Sequence, residues 1–302
     1  MKSIEAILNN LDVMEPVSTG LKASMRKLDI EAFIFDIYGT LIISATGDID
    51  KMTASTEHLK LAFDIGKMEI IPRNGLSEKE LYHSLLVDFR NAIISYHAEK
   101  KSAETPFPEV DIEDIWTMVL SRAAREGMVN LKENADIRAL TFAFELMSNK
   151  VYPMPGMEEV LQSIKSAGKL MGIVSNAQFY TPIIMNYFLQ KKITFDRYIP
   201  PFNKDLIIYS FEEKKSKPDT YLYHKLAGKL KDNYGVDPRK ALFIGNDMLK
   251  DIYGAKKAGL KTALFAGDQR SLRLRENKAT AKNVIPDIIL TDLNQLKDLI
   301  SP

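Results

Sequence analysis

The stretch Phe33-Ile34-Phe35-Asp36-Ile37-Tyr38-Gly39-Thr40-Leu41 decides how this chain is interpreted. Three apolar residues lead into one carboxylate, and Gly39 and Thr40 follow in positions suited to a tight turn. A continuous apolar run is typical of a buried parallel strand, and parallel-sheet enzymes place their chemistry just beyond the carboxyl ends of their strands. The pattern therefore predicts a strand that presents Asp36 to a site, where its carboxylate can act as a nucleophile.

Two later apolar runs also end in polar residues. One is Ile173-Val174-Ser175-Asn176, and the other runs from Ala241 through Gly245-Asn246-Asp247, with Asp251 four residues further on. Between them, Lys217-Pro218 follows a charged loop and precedes a helical pattern. A carboxylate, a hydroxyl, a lysine and an acidic pair, in this order at successive strand ends, predict a site for phosphoryl-type chemistry.

The order and spacing of these four motifs, from Asp36 to about Leu290, resemble the haloacid dehalogenase (HAD) superfamily. The resemblance implies an α/β fold with a Rossmann-like, doubly wound parallel sheet and an inserted all-helical cap domain. It also implies that Asp36 is the nucleophile and that Ser175 and Lys217 are catalytic, with Lys215 as the alternative lysine.

The resemblance further implies that two polar residues of these motifs contact the substrate. Thr40 matches the turn threonine of the family's first motif, and Asn176 follows the serine of the second. Both are therefore expected to bind the transferred phosphate or the carboxylate of the substrate.

The segment between the first two motifs is predicted to be the cap. Ser77 and Glu80 form a capping box before a long helical pattern, and several helical patterns follow with no convincing strand. Strands and helices alternate again from residue 151 onward. The predicted domains are therefore a core of residues 1–43 and 151–302 and a cap of residues 44–150.

The first 30 residues form a leader before the first strand. Apolar spacing predicts a short amino-terminal helix and a second helix from Leu21 to Leu28. Such a leader is expected to pack on the core; a dimer contact or a partner-binding helix is the alternative.

The fourth motif predicts a Mg²⁺ site. Asp247 and Asp251 are four residues apart, so both carboxylates would face one side of a helical turn, and Mg²⁺ takes one or two carboxylates with water. Family phosphatases usually have Gly-Asp where this chain has Gly245-Asn246. Asn246 can offer a neutral oxygen, and Asp247 can replace the missing charge; which of them reaches the metal is open. The resemblance adds Asp36 and the backbone carbonyl of Tyr38 to the ligands.

Tyr38 is the larger departure from the family's phosphatases, which usually carry an aspartate there as general acid and base. A phenol, with a pKa near ~10, is a poor base at neutral pH. The first motif looks like that of the 2-haloacid dehalogenases, which need no leaving-group acid. Those enzymes bind the substrate carboxylate with a cap arginine, and neither Arg73 nor Arg90 matches it by spacing.

Composition excludes several functions. The chain of 302 residues has a formal net charge of +1 and no cysteine, which excludes disulfides, thiolate metal sites and a cysteine nucleophile. We expect no nucleic-acid partner, no membrane partner and a cytoplasmic location. The alternating Arg270, Arg273 and Arg275 are expected to be solvated surface.

The sequence therefore predicts a HAD-type hydrolase working through Asp36. The first hypothesis is Mg²⁺-dependent hydrolysis of a small phosphorylated metabolite. The second is metal-free hydrolysis of a 2-haloacid or a similar small acid. The third is a binding or regulatory protein that keeps the fold and has lost turnover. A homodimer is left open in each case.

Overall fold

A computed structural model gives the structure of the protein, and it describes residues 2–46, 55–72 and 75–300. The chain forms two compact units, which consist of Met1–Leu11 with Ile49–Lys150 and of Asp12–Asp48 with Val151–Pro302. We call the first the helical unit and the second the core unit. The helical unit corresponds to the predicted cap, except that it also takes the first eleven residues of the chain.

Within the described residues the strands are short and follow one another along the chain. They are β1 (Ala32–Phe35), β2 (Ile42–Ser44), β3 (Met68–Ile70), β4 (Val129–Leu131), β5 (Val151–Pro153), β6 (Leu170–Ser175), β7 (Ile207–Tyr209), β8 (Ala241–Gly245), β9 (Lys261–Phe265) and β10 (Ile288–Leu290).

The α-helices of the described residues are α1 (Lys2–Asn9), α2 (Thr56–Ile65), α3 (Glu78–Lys100), α4 (Ile112–Arg125), α5 (Ile137–Ser148), α6 (Met157–Ser166), α7 (Tyr180–Gln190), α8 (Ser210–Glu213), α9 (Tyr221–Tyr234), α10 (Gly254–Lys257) and α11 (Ala279–Lys282). Segments of 3-10 helix occupy Lys204–Leu206, Pro238–Lys240 and Leu293–Leu299, and Met248–Tyr253 is a π-helical segment directly before α10.

The described part of the core unit contains a six-stranded parallel sheet in the order β10-β9-β8-β1-β6-β7. The chain moves outward from β1 to β6 and β7 and then returns to the other side of β1 with β8. Ligands bind at such a switch point in open α/β sheets. The sheet confirms the predicted doubly wound α/β core and places the ends of β6, β1 and β8 side by side.

The central strands have no solvent-facing side. Every residue of β1 and of β8 is buried, which explains why both are continuous apolar runs in the sequence. Helix α9 covers the sheet with Leu222, Leu226 and Leu230, which pack in one cluster with Ile34 and Phe243. Hydrogen bonds to β6 and β8 and apolar packing on its faces thus fix strand β1 in place. The residue that follows the strand is fixed with it.

The helical unit begins its helices as the sequence predicts. Ser77 caps α3, and its side chain and that of Glu80 form the reciprocal capping box. The rings of Phe89 and Trp116 stack at 4.2 Å, and Phe144 meets both edge-on. The expectation of an all-helical cap is wrong in one detail, because β3 and β4 form a two-stranded antiparallel ribbon. Strands of three residues are too short to leave a periodic pattern in the sequence.

The leader differs from the prediction. Helix α1 exists, but it contacts α5 in the helical unit, where Ile4 and Leu8 are buried, and so it does not belong to the core. The predicted helix from Leu21 to Leu28 is wrong. Ser24 instead exchanges both backbone hydrogen bonds with Ile289 of β10, the strand at the edge of the sheet. A strand at the edge of a sheet presents unpaired N–H and C=O groups, and Ser24 pairs with those of Ile289. The spacing of apolar residues in the leader does not indicate such a distant partner.

No helix in the described ranges is both long and apolar enough to cross a membrane. Residues 47–54, which belong to the start of the predicted cap, lie outside the described residues. Arg73 also lies outside them.

Candidate active site

Asp36 is the first residue beyond β1, and it is 7% exposed. Its backbone N–H donates to the carbonyl of Ile244 in β8 at 2.9 Å, so the sheet ladder fixes its main chain. Its carboxylate Oδ1 accepts a hydrogen bond from Lys217 Nζ at 2.7 Å. Asp36 therefore lies at the end of a strand, as the sequence predicts, and its carboxylate is next to a cation.

Lys217 joins the first and fourth motifs. Its ammonium lies 2.7 Å from Asp36 Oδ1 and 2.6 Å from Asp251 Oδ1, and it also donates to the carbonyl of Val174 at 3.4 Å. The side chain is only 3% exposed. The alternative, Lys215, lies over the ring of Tyr221 at 4.6 Å. The geometry therefore selects Lys217 from its neighbours.

Asn176 clamps the main chain of Lys217. Its side-chain oxygen accepts the Lys217 N–H at 2.7 Å, and its side-chain nitrogen donates to the Lys217 carbonyl at 3.2 Å. Both ends of the amide are therefore used on one residue. Its side chain therefore positions the lysine, and its expected role as a substrate contact stays a prediction.

One ammonium in this site faces two carboxylates. Burial raises the pKa of the Asp251 carboxyl to about 7, and the charge of Asp36 adds to the rise, whereas Lys217 opposes it. Burial also works against the charge on Lys217, but Asp251 and Asp36 outweigh burial and hold the pKa of the ammonium above its usual range. The site thus keeps its cation and resists the second negative charge.

The amide of Asn246 has a fixed orientation. Thr40 donates its hydroxyl hydrogen to Asn246 Oδ1 at 3.2 Å, and Asn246 Nδ2 donates to the carbonyl of Ser271 at 2.6 Å. Thr40 is fully buried, and its hydroxyl orients Asn246, while its expected role as a substrate contact stays a prediction. No pattern in the sequence indicates that Ser271, in the loop after β9, reaches this site.

The carboxylate of Asp247 is bound by protein donors. Arg275 donates to both of its carboxylate oxygens, and the N–H groups of Leu249 and Lys250 donate to its Oδ1. Burial works against its charge, but these hydrogen bonds outweigh burial and lower the pKa of the Asp247 carboxyl. Its carboxylate is therefore engaged by protein donors here, and its role as a metal ligand stays a prediction. Its carboxylate starts the helical segment and pairs with arginine.

Asp251 also has both oxygens engaged. Oδ1 accepts from Lys217, and Oδ2 accepts the N–H of Asp247 at 2.9 Å. Gly245 makes room for this arrangement, since a methyl group on it would lie 2.5 Å from Asp251 Cγ. The structure uses Asp251 to hold the lysine, and its role as a metal ligand stays a prediction.

Tyr38 is held by the second motif's helix. Its phenol oxygen lies 2.9 Å from the Thr181 hydroxyl in α7, and this hydroxyl also accepts the N–H of Gln178. Gly39 follows with a φ of +79°, where only glycine is free of strain, and a side chain on it would collide with Ser271. The turn after Asp36 is therefore packed against the loop after β9.

Ser175 ends β6 and is completely buried. Its hydroxyl lies 3.4 Å from the carbonyl of Asn176, which is a long contact. The β-ladder brings it to the same edge of the sheet as Asp36, because Ile173 pairs with Phe35. Its catalytic role stays a prediction.

The three arginines after β9 are not simple solvated surface. Arg270 binds the buried carboxylate of Asp268, Arg275 binds Asp247, and Arg273 donates to the carbonyls of Arg270 and Leu272. The alternating pattern does not reveal these pairings, and the partner of Arg275 is 28 residues away.

The donors that fit Mg²⁺ are few. Asp36 offers its carboxylate, Tyr38 a backbone carbonyl and Asn246 an amide oxygen that its two partners keep oriented. Among the described residues, no three His, Asp or Glu side chains form a group that could hold a metal ion. One carboxylate with neutral oxygens suits a Mg²⁺ ion that keeps several waters and is bound partly by substrate phosphate.

Comparison with known proteins places the chain in one family. A model of the haloacid dehalogenase-like hydrolases matches residues 30–259. Glyceraldehyde 3-phosphate phosphatase from Pyrococcus furiosus is 29% identical over 49% of this chain and 54% of its own length. Phosphoglycolate phosphatase from Nitrosococcus oceani is 26% identical over 57% of this chain and 68% of its own. The chain spans about half the length of the first curated relatives it matches.

Among solved structures, 2-haloacid dehalogenase from Pseudomonas syringae pv. Tomato has the same fold. Its TM-score is 0.54 at 16% identity, with 90% of this chain and 98% of that chain covered. The family match covers most of the chain, including Asp36, Lys217 and Asp251. The chain therefore belongs to the haloacid dehalogenase-like hydrolases.

Proposed function

We propose that the protein hydrolyses a small phosphorylated metabolite by nucleophilic catalysis through Asp36. Phosphatases are prominent among its sequence relatives, and they include enzymes named for glyceraldehyde 3-phosphate and for phosphoglycolate. The observation that carries the proposal is the Lys217 ammonium, which is buried between Asp36 and Asp251 at 2.7 and 2.6 Å.

The reaction proceeds in two displacements. An oxygen of Asp36 forms a bond to phosphorus while the bond to the leaving oxygen breaks, and that oxygen takes up a proton. Water then attacks phosphorus and gives up a proton to solvent, replacing the one that the leaving oxygen took up; the aspartyl–phosphate bond breaks, inorganic phosphate is released and the Asp36 carboxylate is restored. Splitting one difficult displacement into two easier ones is the usual benefit of a covalent intermediate.

Lys217 reduces the charge that opposes the first step. A carboxylate nucleophile and a phosphate repel each other, and a fixed ammonium in a water-poor site offsets that repulsion without reorganising. Asn176 and Asp251 hold the lysine in place through its main chain and its ammonium. Asp36, Asn246 and the Tyr38 carbonyl would hold Mg²⁺, which supplies further charge neutralisation at the phosphate.

The test is turnover of an aryl phosphate by the purified protein, with Mg²⁺ and with EDTA. Asp36→Asn is compared with the exposed control Asp298→Asn. We expect Mg²⁺-dependent hydrolysis that Asp36→Asn lowers by about a thousandfold or more and the control leaves unchanged. Equal turnover in Asp36→Asn would refute the nucleophile, and full activity in EDTA would refute the metal.

A second candidate rests on Tyr38 and Asn246. Both are neutral where the family's phosphatases carry aspartate, and the Tyr38 phenol is tied to Thr181. Displacement of halide from a 2-haloacid needs no acid on the leaving group. Halide release in EDTA that disappears in Asp36→Asn would establish this activity; no release from any short haloacid would remove it.

The third candidate is a protein that binds a ligand without turning it over. A homodimer and a cytoplasmic location are proposed alongside each of the three functions. Binding of inorganic phosphate or metabolite with no product in either metal condition would favour the third candidate. Product formation that depends on Asp36 would exclude it.

A further inference from the structure

Ser271 carries a buried hydroxyl that the structure does not use. The residue is 1% exposed and lies in the loop after β9. Among the described residues its Oγ has no hydrogen-bond partner. Buried polar atoms are almost always paired, with protein groups or with ordered water, so an unpaired hydroxyl indicates a missing ligand or water.

The surroundings of this hydroxyl belong to the candidate site. A methyl group placed on Gly39 would lie 2.9 Å from Ser271 Oγ and 2.7 Å from Asn246 Nδ2. Ser271 is therefore packed between the turn that follows Asp36 and the amide of the fourth motif. The same residue accepts the Asn246 side-chain N–H through its backbone carbonyl at 2.6 Å.

The carbonyl of Ser271 explains why an amide stands at position 246. A carbonyl oxygen can only accept a hydrogen bond, so the donor end of the Asn246 amide, Nδ2, turns toward it and Oδ1 turns toward Thr40. An aspartate there would place a carboxylate oxygen against a carbonyl oxygen. The Ser271 carbonyl in the loop after β9 thus favours asparagine over aspartate at position 246.

We propose that Ser271 is a positioning residue of the candidate metal site: its carbonyl orients Asn246 as an oxygen donor, and its hydroxyl binds a water molecule carried by Mg²⁺. The inference rests on the proposed Mg²⁺-dependent function. Groups that contact the ligands or the waters of a metal orient them, and their loss typically lowers metal affinity by about 10–100-fold.

The first test is calorimetric titration of the metal-free protein with Mg²⁺. Ser271→Ala is compared with wild type and with Ser166→Ala, a matched change at the exposed end of α6. We expect Ser271→Ala to weaken Mg²⁺ binding by about tenfold and Ser166→Ala to leave it unchanged. In EDTA, Ser271→Ala should melt no lower than wild type, because the removed hydroxyl has no protein partner.

Two results would overturn the inference without touching the proposed function. They are equal Mg²⁺ affinity in wild type and Ser271→Ala, and a clear drop in the melting temperature of Ser271→Ala in EDTA, which would reveal a structural role. Wild-type protein that binds no Mg²⁺ would overturn both the inference and the metal dependence.

Asn246→Asp tests the carbonyl. If only the added negative charge mattered, Asn246→Asp would bind Mg²⁺ more tightly than wild type. The inference instead predicts that Asn246→Asp binds Mg²⁺ no more tightly than wild type and that it melts at a lower temperature in EDTA at pH 8. Tighter binding with an unchanged melting temperature would show that the Ser271 carbonyl does not select an amide.

Discussion

At the scale of single residues, the site depends on one cation shared by two acids. Lys217 makes contacts below 3 Å to both Asp36 and Asp251 and is almost fully buried. A buried charge is stable only when it is paired and hydrogen-bonded, and here the pairing also orients Asp36, the nucleophile that we propose. The residue therefore links the stability of the core unit to its chemistry.

Replacing the lysine should remove activity. We expect Lys217→Met to lower kcat/KM for an aryl phosphate by about 100-fold or more, because a preorganised charge at the reacting group is lost. Lys215→Met is the matched control, since that ammonium lies over the ring of Tyr221. Rates are compared only for variants that melt cooperatively. A folded Lys217→Met with the wild-type rate would contradict the assignment.

Asp251 should make stability depend on pH. Its pKa is about 7 in the folded protein, above the ordinary carboxyl value of 3.8, so between these values the folded state holds a proton that the unfolded chain has released. Stability then falls as pH rises through this window. In EDTA, urea unfolding should show that wild type loses on the order of 1 kcal/mol more than Asp251→Asn between pH 5 and pH 8. Parallel pH profiles for the two proteins would mean that Asp251 is already ionised at pH 5.

At the scale of elements, the segment of residues 12–30 acts as a strap on the core unit. Val17 donates its N–H to Asp268 Oδ1 at 3.1 Å and accepts the N–H of Gln269 at 2.8 Å. Asp268 has no exposed side-chain surface and also binds Arg270. The strap thereby supports the loop after β9, which contains Ser271 and Arg275 and so contacts the fourth motif.

A proline can remove one bond of this strap. Val17→Pro deletes the N–H that Asp268 accepts, and we expect the free energy of unfolding to fall by about 1 kcal/mol or more. Val13→Pro, at a position that is 70% exposed, should have a smaller effect. Urea denaturation of both variants measures the difference. Equal stabilities would show that the strap does not brace the loop.

At the scale of the whole molecule, the larger segment of the helical unit, Ile49–Lys150, is an insertion between two paired strands of the core unit. Strands β2 and β5 flank it and pair antiparallel, with Ser44 opposite Val151. Insertions with neighbouring ends can be removed without straining the parent domain. The six-stranded sheet uses no residue of the insertion.

The core unit should therefore fold alone. We expect residues 12–46 and 151–302, joined by a short Gly–Ser linker, to unfold cooperatively in thermal circular dichroism. Residues 1–11 are omitted because α1 packs on α5 of the helical unit. As a control, the same chain with Phe243→Asp in the buried strand β8 should not fold. A noncooperative melt of the joined chain would show that the core unit needs the insertion.

The sequence by itself determined the fold class and the order of the motifs. Buried parallel strands leave continuous apolar runs, and the chemistry follows each run, so β1, β6 and β8 and the residues after them could be predicted from the chain. Capping rules likewise located the start of α3, because helix caps are local interactions between residues three apart.

Only the tertiary structure decided which polar groups meet. Asn176 and Thr40 orient Lys217 and Asn246, Asp247 pairs with Arg275, and Ser271 reaches the turn after Asp36. These partners are separated by many residues, and no local pattern encodes such distances. The strap and β3–β4 escaped prediction for the same reason: short extended segments are stabilised by the strands they pair with, so their own sequence carries little signal.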